Sequence, residues 1–323
     1  MKMLCCDIQE KEDRSQISSF FCAITRKTPR EYVRGYRFDV TLTDKSGKIE
    51  LTYWGGRNLE AVTEVYNSFN IEDVVWVSGV VGSYKDEKVI SINEGYGEIR
   101  RANSEEYDLD DFIPKTNQNI SEMWTKLVQI TESVGNAHLK NLLNTFFGDA
   151  DFVDGFKKAP AAMYYHHACA GGLLEHTWEV LRYCETIADV HPSLDGDLLF
   201  TGAILHDIGK IEEFKVGATI KSSRRGVLTG HISIAANSIL TKIVESENFP
   251  PILRDKLIHM ILSHHGKNEW GTFVEPKFPE AAALHIADLM GARVSQYIRA
   301  KKDAVTDDFS IYSKKLRSPI FLE

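Results

Sequence analysis

The chain has 323 residues, with 38 basic against 46 acidic side chains, a formal net charge of −8, and 43% hydrophobic and 26% charged residues. These values suit a folded protein of about two domains; they exclude a mostly disordered chain and a general polycation, but not a local basic groove. No apolar run approaches the roughly 18 residues of a membrane span, the start Met1-Lys2-Met3-Leu4-Cys5-Cys6-Asp7 lacks a hydrophobic signal core, and five scattered cysteines without a CxxC pair read as reduced thiols, so a cytoplasmic protein away from membranes is expected.

The first hundred residues read as β structure. Ile17 to Lys27 is a strand rich in Phe, Ile and Thr. Tyr36 to Thr43 alternates, with Phe38, Val40 and Leu42 on one face and Arg37, Asp39 and Thr41 on the other. The turn Asp44-Lys45-Ser46-Gly47 leads into a third strand carrying Ile49, Leu51 and Tyr53. Asn58 to Phe69 reads as a short helix with Leu59, Val62, Val65 and Tyr66, followed by strands from Val74 to Tyr84 and from Lys88 to Asn93. Three strands, a helix and two strands is the order of an OB barrel, placed at residues 1–100.

An OB groove binds single strands through aromatic platforms and a basic track. Trp54 and Trp76 fall on the parity opposite their core neighbours, on strands taken as adjacent. They are candidate base-stacking platforms; the alternative is packing against the barrel's helix or the other domain. Arg26, Lys27, Arg30, Arg34 and Arg37 crowd the first hairpin connection with only Glu31 among them, and Arg37 is taken as a candidate phosphate contact. Acidic side chains slightly outnumber basic ones in this region, so binding would rest on a local, salt-sensitive patch.

Residues 101–119 are polar and acidic, with Ser104-Glu105-Glu106 and Asp108-Leu109-Asp110-Asp111 ahead of Pro114, and read as a linker along the surface. Helical periodicity begins at Ile120 with Met123, Trp124, Leu127, Val128 and Ile130, and helix-sized segments continue to about Ala304. Residues 120–323 are therefore expected to form an all-α bundle.

All eleven histidines lie after residue 137, and ten fall between His166 and His285. Imidazole is the commonest metal ligand, so any metal chemistry belongs to this half. His176, the pair His206-Asp207, His231, the pair His264-His265 and Asp288 each sit in apolar helix-forming sequence. Several helices would then point one ligand each at a common centre, as bundle cores do. Mixed imidazole and carboxylate ligands suit first-row transition ions. A lone His on an apolar helix is ordinarily a core residue, and His138, His191 and His259 are read so. Lys210, three residues after Asp207, lies about one turn on. It is either an electrophile for a phosphate oxygen or a solvated surface lysine. Glu175 is either a partner orienting its neighbour His176 or an exposed glutamate.

The order H…HD…H…H…D, complete through His176, His206, Asp207, His231, His264 and Asp288, resembles the HD-domain metal-dependent phosphohydrolases. By that resemblance one ion would take His176, His206, Asp207 and Asp288, and a second would share Asp207 and add His231 and His264. His265 would stand within reach of the substrate phosphate. Both halves together are similar to the YhaM-type exoribonucleases. The likeness is carried by the OB-like front, Ala159-Pro160-Ala161-Ala162, His166-His167, Gly171-Gly172-Leu173-Leu174-Glu175-His176-Thr177, the acidic stretch Tyr107 to Pro114, and Gly226 to His231.

The resemblance implies hydrolysis from the 3′ end of single-stranded RNA, and also of single-stranded DNA, releasing nucleoside 5′-monophosphates. It implies two divalent ions, Mn²⁺ first, with Fe, Co, Ni or Mg as alternatives. Asp207, Lys210 and His265 would do the catalytic work. Lys221, Arg224 and Arg225, on a polar and flexible-looking segment, would hold the phosphate upstream. His166 and His167 would either contact the terminal nucleotide or cap the pocket. A homo-oligomer is compatible with this reading. Two other classes share the sequence features: an HD enzyme acting on free or cyclic nucleotides with a regulatory OB domain, and a noncatalytic single-strand-binding replication factor.

Overall fold

The computed structural model describes residues 2–163, 167–246, 248–302, 304, 306, 308–314 and 316–323. Its contacts divide the chain into two units. One holds Met1–Pro114 with Val216–Ile220; the other holds Lys115–Lys215 and Lys221–Glu323.

The first unit opens with a short helix, α1 (Cys5–Gln9), followed by strands β1 (Gln16–Arg26), β2 (Arg30–Tyr32), β3 (Gly35–Asp44) and β4 (Gly47–Trp54). Helix α2 (Leu59–Asn67) then precedes β5 (Val74–Tyr84), β6 (Glu87–Asn93) and β7 (Glu98–Arg101). The sheet runs β1-β3-β4-β6-β5 and closes through a β1–β5 pairing, with β4 and β6 parallel and the other pairs antiparallel. This is an OB barrel. The alternating residues expected to face inward do so: Phe38, Val40, Leu42, Leu51, Ile90 and Ile92 are buried together. The Asn58 side chain accepts hydrogen bonds from the Glu60 and Ala61 N–H groups, starting α2. Val62 of that helix is buried, while Val65 and Tyr66 pack against the core.

Closure corrects one sequence expectation. Trp54 lies on β4 and Trp76 on β5, but β6 separates these strands, so the two indoles do not share neighbouring strands. The linker also differs from a solvated tether. Ala102 and Phe112 are buried with Cys22 and Val74, and Tyr107 meets Phe112 edge-on at 5.5 Å. Three apolar anchors in a run of acidic residues suffice to fold it back.

The second unit is helical: α3 (Ile120–Ser133), α4 (Ala137–Phe147), α5 (Ala150–Lys158), α6 (Gly172–Val190), α7 (Gly196–Leu205), α8 (Lys210–Glu213), α9 (Arg224–Glu245), α10 (Pro251–Ser263) and α11 (Pro279–Lys302). Asn119, Asn136, Asp149, Asp195 and Ser223 cap successive helices with side-chain acceptors. Leu127, Leu139, Leu143, Leu181, Leu198 and Leu257 anchor one continuous core. Two small hairpins were not expected: β8 (Phe214–Val216) with β9 (Ile220–Ser222), and β10 (Ser310–Ser313) with β11 (Ser318–Phe321). Helix α9 is long and apolar enough to cross a membrane by length and composition. Here Ile232, Ala235, Ile239 and Ile243 bury its inner face, as in a core helix of a bundle.

Candidate metal centre

Ends of helices, not their middles, supply most of the cluster. His206 and His264 are the C-cap residues of α7 and α10, and His176, His231 and Asp288 come from α6, α9 and α11. Three of the rings are pinned through Nδ1. His206 Nδ1–H donates to the Ala203 carbonyl and His264 Nδ1–H to the Ile261 carbonyl, both at 2.8 Å. His231 Nδ1 lies 3.0 Å from Glu213 Oε2. Such partners fix the tautomer and present Nε2 as the ligand atom.

Those Nε2 atoms converge on Asp207. Its Oδ2 is 3.3 Å from both His176 and His206, and its Oδ1 is 3.5 Å from His231 and 3.6 Å from His264. Asp288 Oδ1 is 3.2 Å from His176 Nε2. One carboxylate thus faces two ligand groups with its two oxygens. Among the described residues, His176, His206 and Asp288 bring their ligand atoms within 4.8 Å of one another, and so do His231, His264 and His265. The second trio sets His265 beside the imidazoles of His231 and His264, and His265 also lines the adjoining cavity. Its Nδ1–H donates to the Trp270 carbonyl at 3.1 Å.

Three buried polar atoms point inward without a hydrogen-bond partner: Asp207 Oδ1, His231 Nε2 and His264 Nε2. Leaving buried polar groups unpaired costs about 1–3 kcal/mol each. All three are electron-pair donors suited to a divalent cation, so the residues present fit the metals that the family pattern implies.

The two buried carboxylates make the pocket favour positive charge. Burial alone would depress the pKa of His176, but hydrogen bonds to Asp207 and Asp288 raise it to about 9. Asp207 is held well below the usual carboxylate range despite burial, by Lys210, His206 and His176. Asp288 is lowered too, chiefly by His176, against the effect of its own burial. His265 falls to about 3 through burial and the nearby His264 and His231 rings, so it stays neutral and free to donate electrons.

Lys210 resolves toward the site. It is largely buried, with Nζ 2.5 Å from Asp207 Oδ2, and lines the adjoining cavity. Gly209 explains how α8 comes so close: a Cβ there would lie 2.0 Å from the His231 carbonyl oxygen. Glu175 is half-buried with His167 Nδ1 3.3 Å away, while His167 Nε2 is 3.0 Å from Glu179. Both ring nitrogens of His167 are thus engaged by carboxylates. His166 lies outside the described residues.

The segment expected to be flexible is helical. Ser223 caps α9, Arg224 is exposed in its first turn, and Arg225 is paired with Glu212. Both side chains of that pair are exposed. In the barrel, the Arg37 guanidinium lies 4.8 Å from the Trp54 ring centroid, and Tyr32 meets Trp54 edge-on at 5.1 Å. Arg26 instead binds the Tyr66 and Phe69 carbonyls, and Arg30 pairs with Asp39. Trp76 packs on Phe20 at 4.7 Å, beside Glu105, Glu106 and Tyr107 of the folded-back segment. Lys2 lines the same pocket, and Arg100, the cross-strand partner of Trp76, binds Glu106. Glu213, Tyr32 and Trp270 escape sequence reading; only Trp270 leaves a signal there, as an aromatic in a polar stretch five residues past His265.

A carboxylate shared by two histidine groups at the heart of a helical bundle, in a chain that also carries an OB barrel, defines an HD-type metal-dependent phosphohydrolase with a nucleic-acid-binding barrel. Family models agree: the HD domain matches residues 173–292, and the OB-fold nucleic acid binding domain matches residues 24–96. The 3′-5′ exoribonuclease YhaM of Listeria monocytogenes serotype 4b is 30% identical over 288 residues, covering 87% of this chain and 88% of the relative. That of Listeria innocua serovar 6a is 30% identical over 272 residues, covering 84% and 83%. The chain belongs to the YhaM family of 3′-5′ exoribonucleases.

Proposed function

We propose that this protein is a metal-dependent exoribonuclease that shortens single-stranded RNA from its 3′ end, releasing nucleoside 5′-monophosphates, and that it also accepts single-stranded DNA. The observation that carries the hydrolytic reading is the convergence on Asp207 of four imidazoles, with three buried polar atoms left for a cation. Polarity and substrate follow from the Listeria relatives, which are described as 3′-5′ exoribonucleases.

Two divalent ions fit the donor set, Mn²⁺ foremost. His176, His206, Asp207 and Asp288 would hold one; Asp207, His231, His264 and His265 would hold the other. When bound, such ions activate water and draw off the charge of the phosphate. The chain's own groups orient the reaction. Ala203, Ile261 and Glu213 keep the imidazole Nε2 atoms facing inward. Lys210, poised on Asp207, takes a non-bridging phosphate oxygen as charge develops there. In the barrel, Trp54 with Arg37 offers a base platform beside a cation for the strand. Exposed Arg224 adds a cation at the start of α9.

The test is a denaturing gel of 5′-labelled single-stranded RNA incubated with the protein and Mn²⁺, beside Asp207→Ala. A ladder shrinking from the 3′ end in the wild type alone is expected. Intact RNA with Mn²⁺ bound would reject the reading and direct attention to free nucleotides.

A further inference from the structure

The metal cluster borders a cavity of about 300 Å³ whose lining also includes residues outside the cluster. Asp207, Lys210 and Asp288 line it together with Trp270, Leu289 and Ala292. It is at the small end of the range for ligand sites. Trp270 is its unusual member, since a large indole stays 38% exposed beside a polar centre.

The turn that carries the indole is firmly held. The Trp270 backbone carbonyl accepts from His265 Nδ1–H at 3.1 Å, and the Trp270 backbone N–H donates to the Lys267 carbonyl at 2.9 Å. The Thr272 hydroxyl donates to the Leu262 carbonyl at 2.7 Å, tying the turn to α10. The His285 ring lies 6.1 Å from the indole and is itself fixed by a 2.9 Å bond from Nδ1–H to the His264 carbonyl. An aromatic surface is thus held next to the metal ligands and partly exposed, with the Lys267 ammonium 4.9 Å from its ring centroid. A nucleotide has the same layout, with an anionic phosphate at one end and a flat, largely apolar base at the other.

We infer that this cavity receives the 3′-terminal nucleoside of the strand, with Trp270 stacking on its base and the adjoining phosphodiester lying at the Asp207 cluster. The inference rests on the exonuclease reading above. Ala161, Ala162, Leu289 and Ala292 present methyl groups and carry no side-chain donor or acceptor. With His285 the polar ring nearest the indole, the subsite holds the base chiefly by stacking. Its size admits one nucleoside, which accounts for release of one nucleotide per cleavage.

The experiment compares 5′-labelled RNAs whose 3′-terminal nucleotide carries or lacks its base, using the full chain with Mn²⁺. Wild type should process the abasic end roughly tenfold less efficiently in kcat/KM. Trp270→Ala should lose a similar factor on the ordinary end and treat both ends equally, while Trp270→Phe retains most of the discrimination. Equal efficiency on both ends with wild type overturns the subsite, whether or not the alanine variant folds. A penalty that persists undiminished in a folded Trp270→Ala overturns the assignment to the indole. If Trp270→Ala fails to fold, the wild-type comparison and Trp270→Phe still decide. If no RNA is shortened at all, the exonuclease reading falls separately. The subsite is then judged by calorimetric titration of adenosine 5′-monophosphate into the Mn²⁺-loaded protein, where binding unchanged by Trp270→Ala overturns it.

Discussion

Replacing Gly209 by alanine adds one methyl group at the closest approach of α8 to α9. The new Cβ would lie 2.0 Å from the His231 carbonyl oxygen and 2.8 Å from the Ala235 nitrogen, both backbone atoms that cannot rotate away. Reaching an ordinary 3.4 Å contact requires a separation of 3.4 − 2.0 = 1.4 Å. That shift acts on His231, whose Nε2 is only 3.5 Å from Asp207 Oδ1. Overpacking of this kind costs about 1–3 kcal/mol. A misplacement of about 1 Å in a catalytic constellation can cost on the order of 100-fold in rate. Gly209→Ala should therefore melt several degrees lower and cleave RNA at least tenfold more slowly, with a weaker half-saturating Mn²⁺ concentration. The control is Gly82→Ala in β5, where the nearest atom is a Val89 methyl at 3.9 Å, and which should leave activity unchanged. Wild-type turnover and melting in Gly209→Ala would refute the idea that this approach sets the position of His231.

Other expectations follow from the same geometry. Mn²⁺ binds only the folded site, so melting should rise with metal, by about 2.7 kcal/mol per site at a free concentration 100 times Kd. His264→Gln should lose part of that rise, and calorimetry showing metal-independent melting would count against the assigned ligands. Arg37→Ala should weaken single-strand binding and lower the salt-dependence slope by about one, as read from filter binding over a salt series; an unchanged slope removes Arg37 from the phosphate track. Glu106 is lowered to about 2, chiefly by its hydrogen bonds from Arg100 and the Asn103 N–H. Because the folded value lies below the unfolded one, the pair's contribution is fully present above about 4.5 and disappears as pH falls through about 2. The melting difference between wild type and Glu106→Gln should hold at neutral pH and close across that window, and a difference constant down to pH 2 would contradict it.

What the sequence makes legible depends on whether a feature belongs to one residue or to a pair. The metal ligands are legible because coordination admits few residue types, and their order along the chain survives any error in helix ends. Barrel strands are legible because alternation of Phe38, Val40 and Leu42 with polar neighbours has one reading. Adjacency is not. Nothing in β4 or β5 says that β6 will lie between them, and the pairing of Trp54 with Trp76 fails for that reason. The helical start at Arg224 is hidden because Gly226 and Gly230 weaken the periodic signal. At Gly230 the chain takes φ +67 inside the helix, a kink with no apolar signature.

His265 shows most directly why orientation lies beyond residue type. Its neighbour His264 and its place in a paired motif leave two roles open, metal ligand or phosphate contact. The orientation of the ring comes from the turn Asn268–Trp270, whose last carbonyl accepts a hydrogen bond from Nδ1–H. That bond leaves Nε2 as the electron-pair donor and sets the ring 4.4 Å from His264 and 5.3 Å from His231. The same turn displays the Trp270 indole to the cavity. One short backbone segment therefore fixes both a candidate ligand and a candidate base platform. A change that loosened it, such as Thr272→Val at the hydroxyl that ties it to Leu262, should weaken Mn²⁺ binding and terminal-base discrimination together. Separate titrations of metal and of abasic-ended RNA would detect whether the two effects move as one, and loss of either alone would show that the turn does not couple them.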